Sequence, residues 1–149
     1  MIGARAMALR GMLRSSLDTD FLTTDRTVLA AEFWSDLENA TATVHRGDLT
    51  DPLAGVVRLV AANERVDVVV GKYKWQRAVI ERAETVLDFP VVQTADLVLL
   101  KLFAGGPQDL WDVHALLAAD AAVVSTVDER IDDLPDDVRE LWRGMRDLQ

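Results

Sequence analysis

The fold of this chain is set by the stretch Arg14-Ser15-Ser16-Leu17-Asp18-Thr19-Asp20-Phe21-Leu22. Read as a β-strand, it directs Asp18 and Asp20 to one face, because strand side chains alternate with a period of two. Adjacent carboxylates repel each other, and a divalent cation is the commonest reason for keeping them together, since Mg²⁺ binds hard oxygen ligands. The alternative is an exposed edge strand whose two acids are solvated. The D-x-D pattern is common and does not decide between the two.

A second strand is predicted over residues 65–70, where Asp67 is the only acid in an otherwise valine-rich run. If this strand lies beside the first, Asp67 joins Asp18 and Asp20 in a cluster of three carboxylates. Such a cluster could hold one or two Mg²⁺ or Mn²⁺ ions, the arrangement that metal-assisted phosphoryl chemistry uses. Asp67 would then help to deprotonate an attacking hydroxyl.

Lys101 and two acids form a second candidate cluster. Lys101 lies in an apolar predicted helix over residues 95–104, and Asp109 and Asp112 share a face of the next helix because they are three residues apart. Lys101 can pair with either acid, reach a nucleotide phosphate, or point towards the acids of the D-x-D strand as the nearest strong charge. The alternative is a structural salt bridge, with first-turn acids complementing the helix dipole.

Two segments carry a resemblance to a known family. The first is Gly3-Ala4-Arg5-Ala6-Met7-Ala8-Leu9 with the D-x-D strand that follows, and the second is Leu99-Leu100-Lys101-Leu102-Phe103-Ala104-Gly105-Gly106-Pro107-Gln108-Asp109-Leu110-Trp111-Asp112-Val113. Together they resemble the polymerase-beta-like nucleotidyltransferase superfamily. The second segment is similar to the lysine and R-x-x-D-x-x-D segment of abortive-infection (AbiEii-like) nucleotidyltransferase toxins. The resemblance covers about residues 1–117.

The resemblance implies that the chain moves a nucleotidyl group from an NTP to an acceptor with Mg²⁺ or Mn²⁺, as the toxin of a toxin–antitoxin pair. The acceptor would be an RNA or a protein, and the partner an antitoxin protein. The implied site has catalytic residues Asp67, Lys101 and Asp109, metal ligands Asp18, Asp20 and Asp67, and nucleotide-binding residues Gly3, Arg14, Ser16 and Lys101.

The alternative is a degenerate, non-catalytic member of the family that acts through protein binding. Three departures from the family pattern favour it. Ala4 stands where the family has a second glycine or serine, and Gly106-Pro107-Gln108 stands where an arginine is expected. The family usually has a helix and a strand before the glycine turn, and here either that element is absent or the start is truncated relative to relatives. Without that strand, a sheet edge near Gly3 would be left uncovered, which predicts either self-association, as in a homodimer, or binding of a partner.

Length and composition predict one ordinary globular domain over residues 1–149. We expect an α+β (α/β) fold in which a small mixed or antiparallel sheet carries the acids over residues 1–93 and a helical part follows over 94–149. Within it, the pattern predicts a helix at 27–39, an edge strand at 41–46, a hairpin from strands 55–60 and 65–70, and a short strand at 86–92.

The net charge of −9 is unevenly distributed. Residues 1–108 carry 14 acids and 12 bases, whereas residues 109–149 carry 11 acids and 4 bases. This imbalance disfavours a polynucleotide substrate, although a local basic rim is predicted from Arg5, Arg10, Arg14, Lys72, Lys74 and Arg77. No apolar run approaches the ~20 residues of a membrane helix, and arginines interrupt the apolar N-terminus. We therefore expect no membrane association and a cytoplasmic location.

Overall fold

The computed structural model describes residues 1–12 and 18–147. Its fold is mixed α+β, as predicted, with a mixed four-stranded sheet, a two-stranded sheet and packed helices. The chain divides into two compact units, Met1–Val92, which contains both sheets, and Gln93–Gln149, whose described part is helical. This division falls one residue from the predicted boundary between the sheet-bearing and helical parts. That the two units make one domain stays a prediction.

The first unit contains two helices, six strands and two 3₁₀ turns among its described residues. The elements are α1 (Gly3–Leu9), β1 (Asp18–Thr23), 3₁₀ turns at Arg26–Leu29 and Ala31–Trp34, β2 (Thr41–Arg46), β3 (Gly55–Ala61), β4 (Glu64–Val70), α2 (Lys74–Glu81), β5 (Glu84–Val86) and β6 (Phe89–Val91). The second unit contains α3 (Thr94–Ala104), α4 (Pro107–Ala119), α5 (Val123–Arg130), a 3₁₀ turn at Ile131–Asp133, and α6 (Asp136–Arg146).

The main sheet has the strand order β1-β4-β3-β2. β1 pairs with β4 in parallel, whereas β4, β3 and β2 pair antiparallel, so the predicted hairpin of β3 and β4 is confirmed. One face of the sheet buries Val57 and Val70 against Val28 and Leu29 of the first 3₁₀ turn. The alternation that buries these valines sends the neighbouring charged residues to the opposite face.

The helix predicted at residues 27–39 is wrong, because two 3₁₀ turns occupy this segment. Asp25 Oδ1 accepts hydrogen bonds from the backbone N–H of Thr27, at 2.9 Å, and from its hydroxyl, at 2.8 Å. Trp34 Nε1 donates to the carbonyl of Val28 at 2.7 Å, and Ala30 is extended between the turns. Local side-chain hydrogen bonds therefore compete successfully with the helical backbone pattern.

The single strand predicted at residues 86–92 is also wrong, since β5 and β6 form a separate hairpin there. Its turn residues Leu87 and Asp88 both have positive φ, at 47° and 67°. This left-handed pair matches the twist of a two-residue hairpin. Pro90 is tolerated in β6 because it lies in a short two-stranded ribbon.

The helices of the second unit pack around an apolar α3. Leu97, Val98, Leu99 and Leu102 are buried there, and Gly105 ends the helix with φ at 65°. Asp96 is fully buried in the first turn of α3, and its Oδ2 lies 3.0 Å from Nη1 of Arg130 on α5. Gln93 Oε1 accepts from Nη2 of the same arginine at 2.9 Å. These contacts anchor α5 to the start of α3.

Candidate functional site

The acids of the D-x-D strand and Asp67 lie on one face of the main sheet. In the parallel pairing of β1 with β4, Asp20 is aligned with Asp67 and Asp18 is aligned with Arg65. Aligned residues on neighbouring strands project to the same side. The three-carboxylate cluster was predicted on the condition that the two strands are neighbours and direct their acids to one face. The pairing of β1 with β4 meets this condition.

Two arginines already pair with these acids. Arg58 on β3 is aligned with Asp67, and its Nε and Nη2 donate to the two carboxylate oxygens at 2.9 Å each. Arg65 on β4 pairs with Asp18 on β1 through Nη2 and Oδ2. The hydrogen bonds from Arg58 lower the pKa of Asp67, with partial burial opposing them and the positive charges of Arg58 and Arg65 adding to the effect. Asp67 is therefore firmly ionised and a weak proton acceptor.

The donor set fits Mg²⁺ or Mn²⁺ in its chemistry, because carboxylate oxygens are the ligands these ions prefer. Asp20 and Asp67 are the pair that the strand register brings side by side. Across residues 1–12 and 18–147, however, no three Asp, Glu or His side chains are grouped closely enough to share a metal ion. The ion pairs of Asp18 with Arg65 and of Asp67 with Arg58 give a physical reason why these acids are not grouped around a shared metal position. A metal at these acids stays a prediction.

Gly3 lies directly beside Asp20. The backbone N–H of Ile2 donates to the carbonyl of Asp20 at 2.8 Å, which ties the start of α1 to β1. Gly3 has φ at +70°, and a Cβ placed on it would come within 2.0 Å of Asp20 Oδ2. The space that the glycine leaves is thus filled by the carboxylate. The other two predicted nucleotide-binding residues, Arg14 and Ser16, lie outside the described residues.

Lys101 is held by acids of its own unit. Its Nζ lies 2.7 Å from Asp109 Oδ1 and 2.9 Å from Asp112 Oδ2, which joins α3 to α4. The Lys101 and Asp112 side chains are 16% and 7% exposed, so this cluster is largely buried. The expectation that the D-x-D acids supply the nearest strong charge to Lys101 is wrong, since Asp109 and Asp112 are already in contact with it. The structure does bring together the three residues of the predicted second cluster.

Sequence reasoning missed Arg58 and Arg65 as partners of the acids. The signal was present in the predicted hairpin: if strand 55–60 turns back into strand 65–70, position 58 falls opposite position 67.

The predicted basic rim also needs revision at Arg10. Its Nη1 lies 3.0 Å from Glu84 Oε2, and its Nη2 donates to the carbonyl of Val92 at 3.1 Å. Arg10 therefore fastens α1 to the end of the unit.

No protein-family model matches the chain, and no curated protein is significantly similar to it in sequence. Among the described residues, the helices are all too short or too polar to span a bilayer.

Proposed function

We propose that the chain is a nucleotidyltransferase that uses the acidic face of β1 and β4. The observation that carries the proposal is the register of the two strands, which aligns Asp20 with Asp67 and keeps Asp18 on the same face. The contact between Gly3 and the carboxylate of Asp20 supports it further, because a glycine turn next to the D-x-D strand is what the family resemblance implies.

In this reaction an acceptor hydroxyl oxygen bonds to the α-phosphorus of an NTP, the bond to the β-phosphate oxygen breaks, and pyrophosphate leaves. Asp18, Asp20 and Asp67 would hold Mg²⁺ or Mn²⁺, which when bound supplies positive charge to offset the charge that develops on the phosphates. Arg58 and Arg65 lie on the same face, and guanidinium groups bind phosphate oxygens at two points. Asp67 accepts the hydroxyl proton only when Arg58 has moved from it, because the Arg58 hydrogen bonds hold the pKa of Asp67 low.

Lys101 and Asp109 enter the proposal through the family resemblance. Their salt bridge at 2.7 Å and the contact with Asp112 keep the ammonium group in one place. In the proposed enzyme the ammonium binds NTP phosphate oxygens, with Asp109 and Asp112 orienting it. The acceptor as RNA or protein and the antitoxin partner are part of the same proposal.

Calorimetric titration with Mn²⁺ and Mg²⁺, followed by each NTP, tests the proposal. We expect the ions to bind the wild type and to bind more weakly to Asp20→Asn. Asp36→Asn is the matched control, since Asp36 is an exposed acid of the same unit. Release of pyrophosphate from an NTP in the presence of cellular RNA is the activity measurement. If neither ion binds the wild type, or if Asp36→Asn loses as much affinity as Asp20→Asn, the metal-dependent enzyme is excluded.

A second candidate function is favoured by the arginine pairs. Arg58 occupies both oxygens of Asp67, and Arg65 pairs with Asp18, so two of the three acids are neutralised without a metal. That arrangement suits a non-catalytic protein with the same fold that acts by binding another protein. In the titration above, it predicts no ion binding and no NTP binding by the wild type.

A further inference from the structure

A cavity of about 460 Å³ with basic walls lies at the carboxyl ends of β1 and β4. Crevices in this position are a common place for ligands in sheets with parallel strands. The residues that follow the two strands, Thr24 and Gly71, belong to its lining. So do four cationic side chains, which are Arg26, Lys72, Lys74 and Arg77.

A second cavity of about 430 Å³ shares Arg26 and Lys72 with the first and adds Arg46. We call the two together the basic groove, lined by Arg26, Arg46, Lys72, Lys74 and Arg77. Two acids also line it, and both carboxylates already accept hydrogen bonds: Asp25 from Thr27 at 2.9 Å, and Asp48 from Thr50 at 2.7 Å. Because five cationic side chains and two acidic ones line it, the groove carries positive charge, although the net charge of the chain is −9.

Three of the five groove cations, Arg26, Lys72 and Lys74, make few contacts within the fold. Arg26 and Lys74 are exposed, and within the described ranges neither makes an ion pair or hydrogen bond through its side chain. Lys72 Nζ makes only long contacts, at 3.4 and 3.5 Å, with the carbonyls of Leu49 and Asp48. This differs from Arg58, whose two-point pair with Asp67 occupies its guanidinium. Arg46 Nη2 donates to the carbonyl of Leu29 at 2.6 Å, and Arg77 Nε lies 3.5 Å from Glu81 Oε1. Arg26, Lys72 and Lys74 are therefore the groove cations most available to an anionic ligand.

Gln76 makes hydrogen bonds to the backbone of the segment that carries the lysines. This side chain is 1% exposed, and its Oε1 accepts the backbone N–H groups of Lys72, at 2.8 Å, and Tyr73, at 3.0 Å. A Cβ on Gly71 would lie 2.6 Å from the same oxygen, so the glycine makes room for this buried amide. Because these two N–H groups already donate to Gln76, the contacts that we infer for a ligand in the groove are those of the side chains.

We propose that the basic groove binds the phosphate groups of a nucleotide or of a single-stranded nucleic acid. Guanidinium and ammonium groups supply charge-assisted hydrogen bonds to phosphate oxygens. Tyr73 lines the same cavity and is 37% exposed, so its ring offers a surface on which a base can stack. A cavity of about 460 Å³ is within the range of small-molecule sites. The proposal is independent of the acids on the sheet face and of any reaction there.

The test is fluorescence anisotropy of labelled decauridylate with the full chain, with UMP, inorganic phosphate and poly-glutamate as competitors. If four cations contact phosphates, the slope of log affinity against log salt is about −2.8, and affinity falls about fifty-fold from roughly 50 to 200 mM salt. Arg26→Gln and Lys74→Gln should each lower the magnitude of the slope by about 0.7 and weaken binding about fivefold near 100 mM salt.

Arg143→Gln is the matched control, because Arg143 is an exposed arginine on α6 with no side-chain partner among the described residues. It should leave both affinity and slope unchanged, and circular dichroism should show all three variants folded. Displacement of the decauridylate by UMP at similar affinity identifies a mononucleotide as the ligand, whereas failure of UMP to displace it identifies a nucleic-acid strand. Absence of binding at low salt, equal losses in Arg143→Gln, or equal displacement by poly-glutamate overturns the proposal.

Discussion

Arg58 on β3 holds the carboxylate of Asp67 on β4 with two hydrogen bonds of 2.9 Å. Pairs of this kind are the stronger and more directional of the ion pairs that proteins form. The same guanidinium group that keeps Asp67 ionised also occupies the oxygens that a metal ion would need. A substitution of Arg58 therefore distinguishes the two proposed functions, the metal-dependent enzyme and the non-catalytic binding protein.

Replacing Arg58 with glutamine should strengthen binding of Mn²⁺ or Mg²⁺. The change frees both oxygens of Asp67 and removes a positive charge close to the metal position. Calorimetry or electron paramagnetic resonance of Mn²⁺ measures the affinity directly. Arg58→Lys keeps the charge and should stay closer to the wild type. Undetectable metal binding in both the wild type and Arg58→Gln would leave the non-catalytic function as the better description.

The Arg58–Asp67 pair also predicts a dependence of stability on pH. Hydrogen bonds from Arg58 hold the pKa of Asp67 below its ordinary value of 3.8. The folded-state pKa of Asp67 is below its unfolded-state value, so the ionised carboxylate contributes its full stabilisation above about pH 3.8. This stabilisation is lost as the pH falls through the folded-state pKa. The free energy of unfolding in urea should therefore fall more steeply below about pH 4 in the wild type than in Arg58→Gln. Parallel curves for the two proteins would contradict the pairing.

Gly3→Ala should disturb the fold and the position of Asp20 together. A side chain at φ +70° costs about 1–2 kcal/mol, and the added Cβ would come within 2.0 Å of Asp20 Oδ2, so that the carboxylate must rotate away. Gly11→Ala is the matched control, since Gly11 has φ +88° but its Cβ would meet no atom within 4 Å. Both variants should lose stability in thermal unfolding, whereas only Gly3→Ala should change metal affinity. An equal effect of both variants on metal affinity would remove Gly3 from the site.

Alternation and turn patterns in the sequence were sufficient to predict the hairpin of β3 and β4. They also predicted a strand over residues 14–22, and in the described part of this stretch the observed strand is Asp18–Thr23. They failed at residues 27–39, where apolar residues do recur with helical spacing. Asp25 and Trp34 make side-chain hydrogen bonds to the local backbone there, and a hydropathy pattern does not contain that competition. The parallel pairing of β1 with β4 is a contact between segments that are distant in the chain, and a local sequence pattern cannot predict such a contact. The cluster of three acids was therefore predicted only on the condition that the two strands are neighbours.

The two candidate clusters also differ in how many of their contacts could be predicted from the sequence. Arg58 could have been deduced as the partner of Asp67 from the hairpin register alone. The approach of Gly3 to Asp20 depends on a tertiary contact at Ile2, which no periodicity encodes. For Lys101, sequence spacing allowed several acidic partners, and only packing of α3 on α4 selects Asp109 and Asp112.

Lys101 should contribute to the stability of the helical unit. Its ammonium lies 2.9 Å from Asp112, whose side chain is 7% exposed, so removing the lysine takes away a cation that this buried carboxylate contacts. Lys101→Met should lower the free energy of unfolding by about 2–3 kcal/mol, which is below the range for fully buried pairs because Lys101 retains some solvent contact. Lys101→Arg should restore most of the loss, and adding Asp112→Leu to Lys101→Met should restore part of it.

The same variants separate stability from NTP binding. If Lys101 also binds phosphate oxygens, Lys101→Ala should weaken NTP binding while leaving Mg²⁺ binding by Asp18 and Asp20 intact, because those acids lie in the sheet-bearing unit. Lys101→Met/Asp112→Leu, which regains stability without regaining the ammonium, should stay deficient in NTP binding. Recovery of NTP affinity along with stability in this double variant would mean that the lysine acts only through the fold. Calorimetry at a temperature where every variant is folded makes the comparison, since loss of folded protein then cannot imitate loss of affinity.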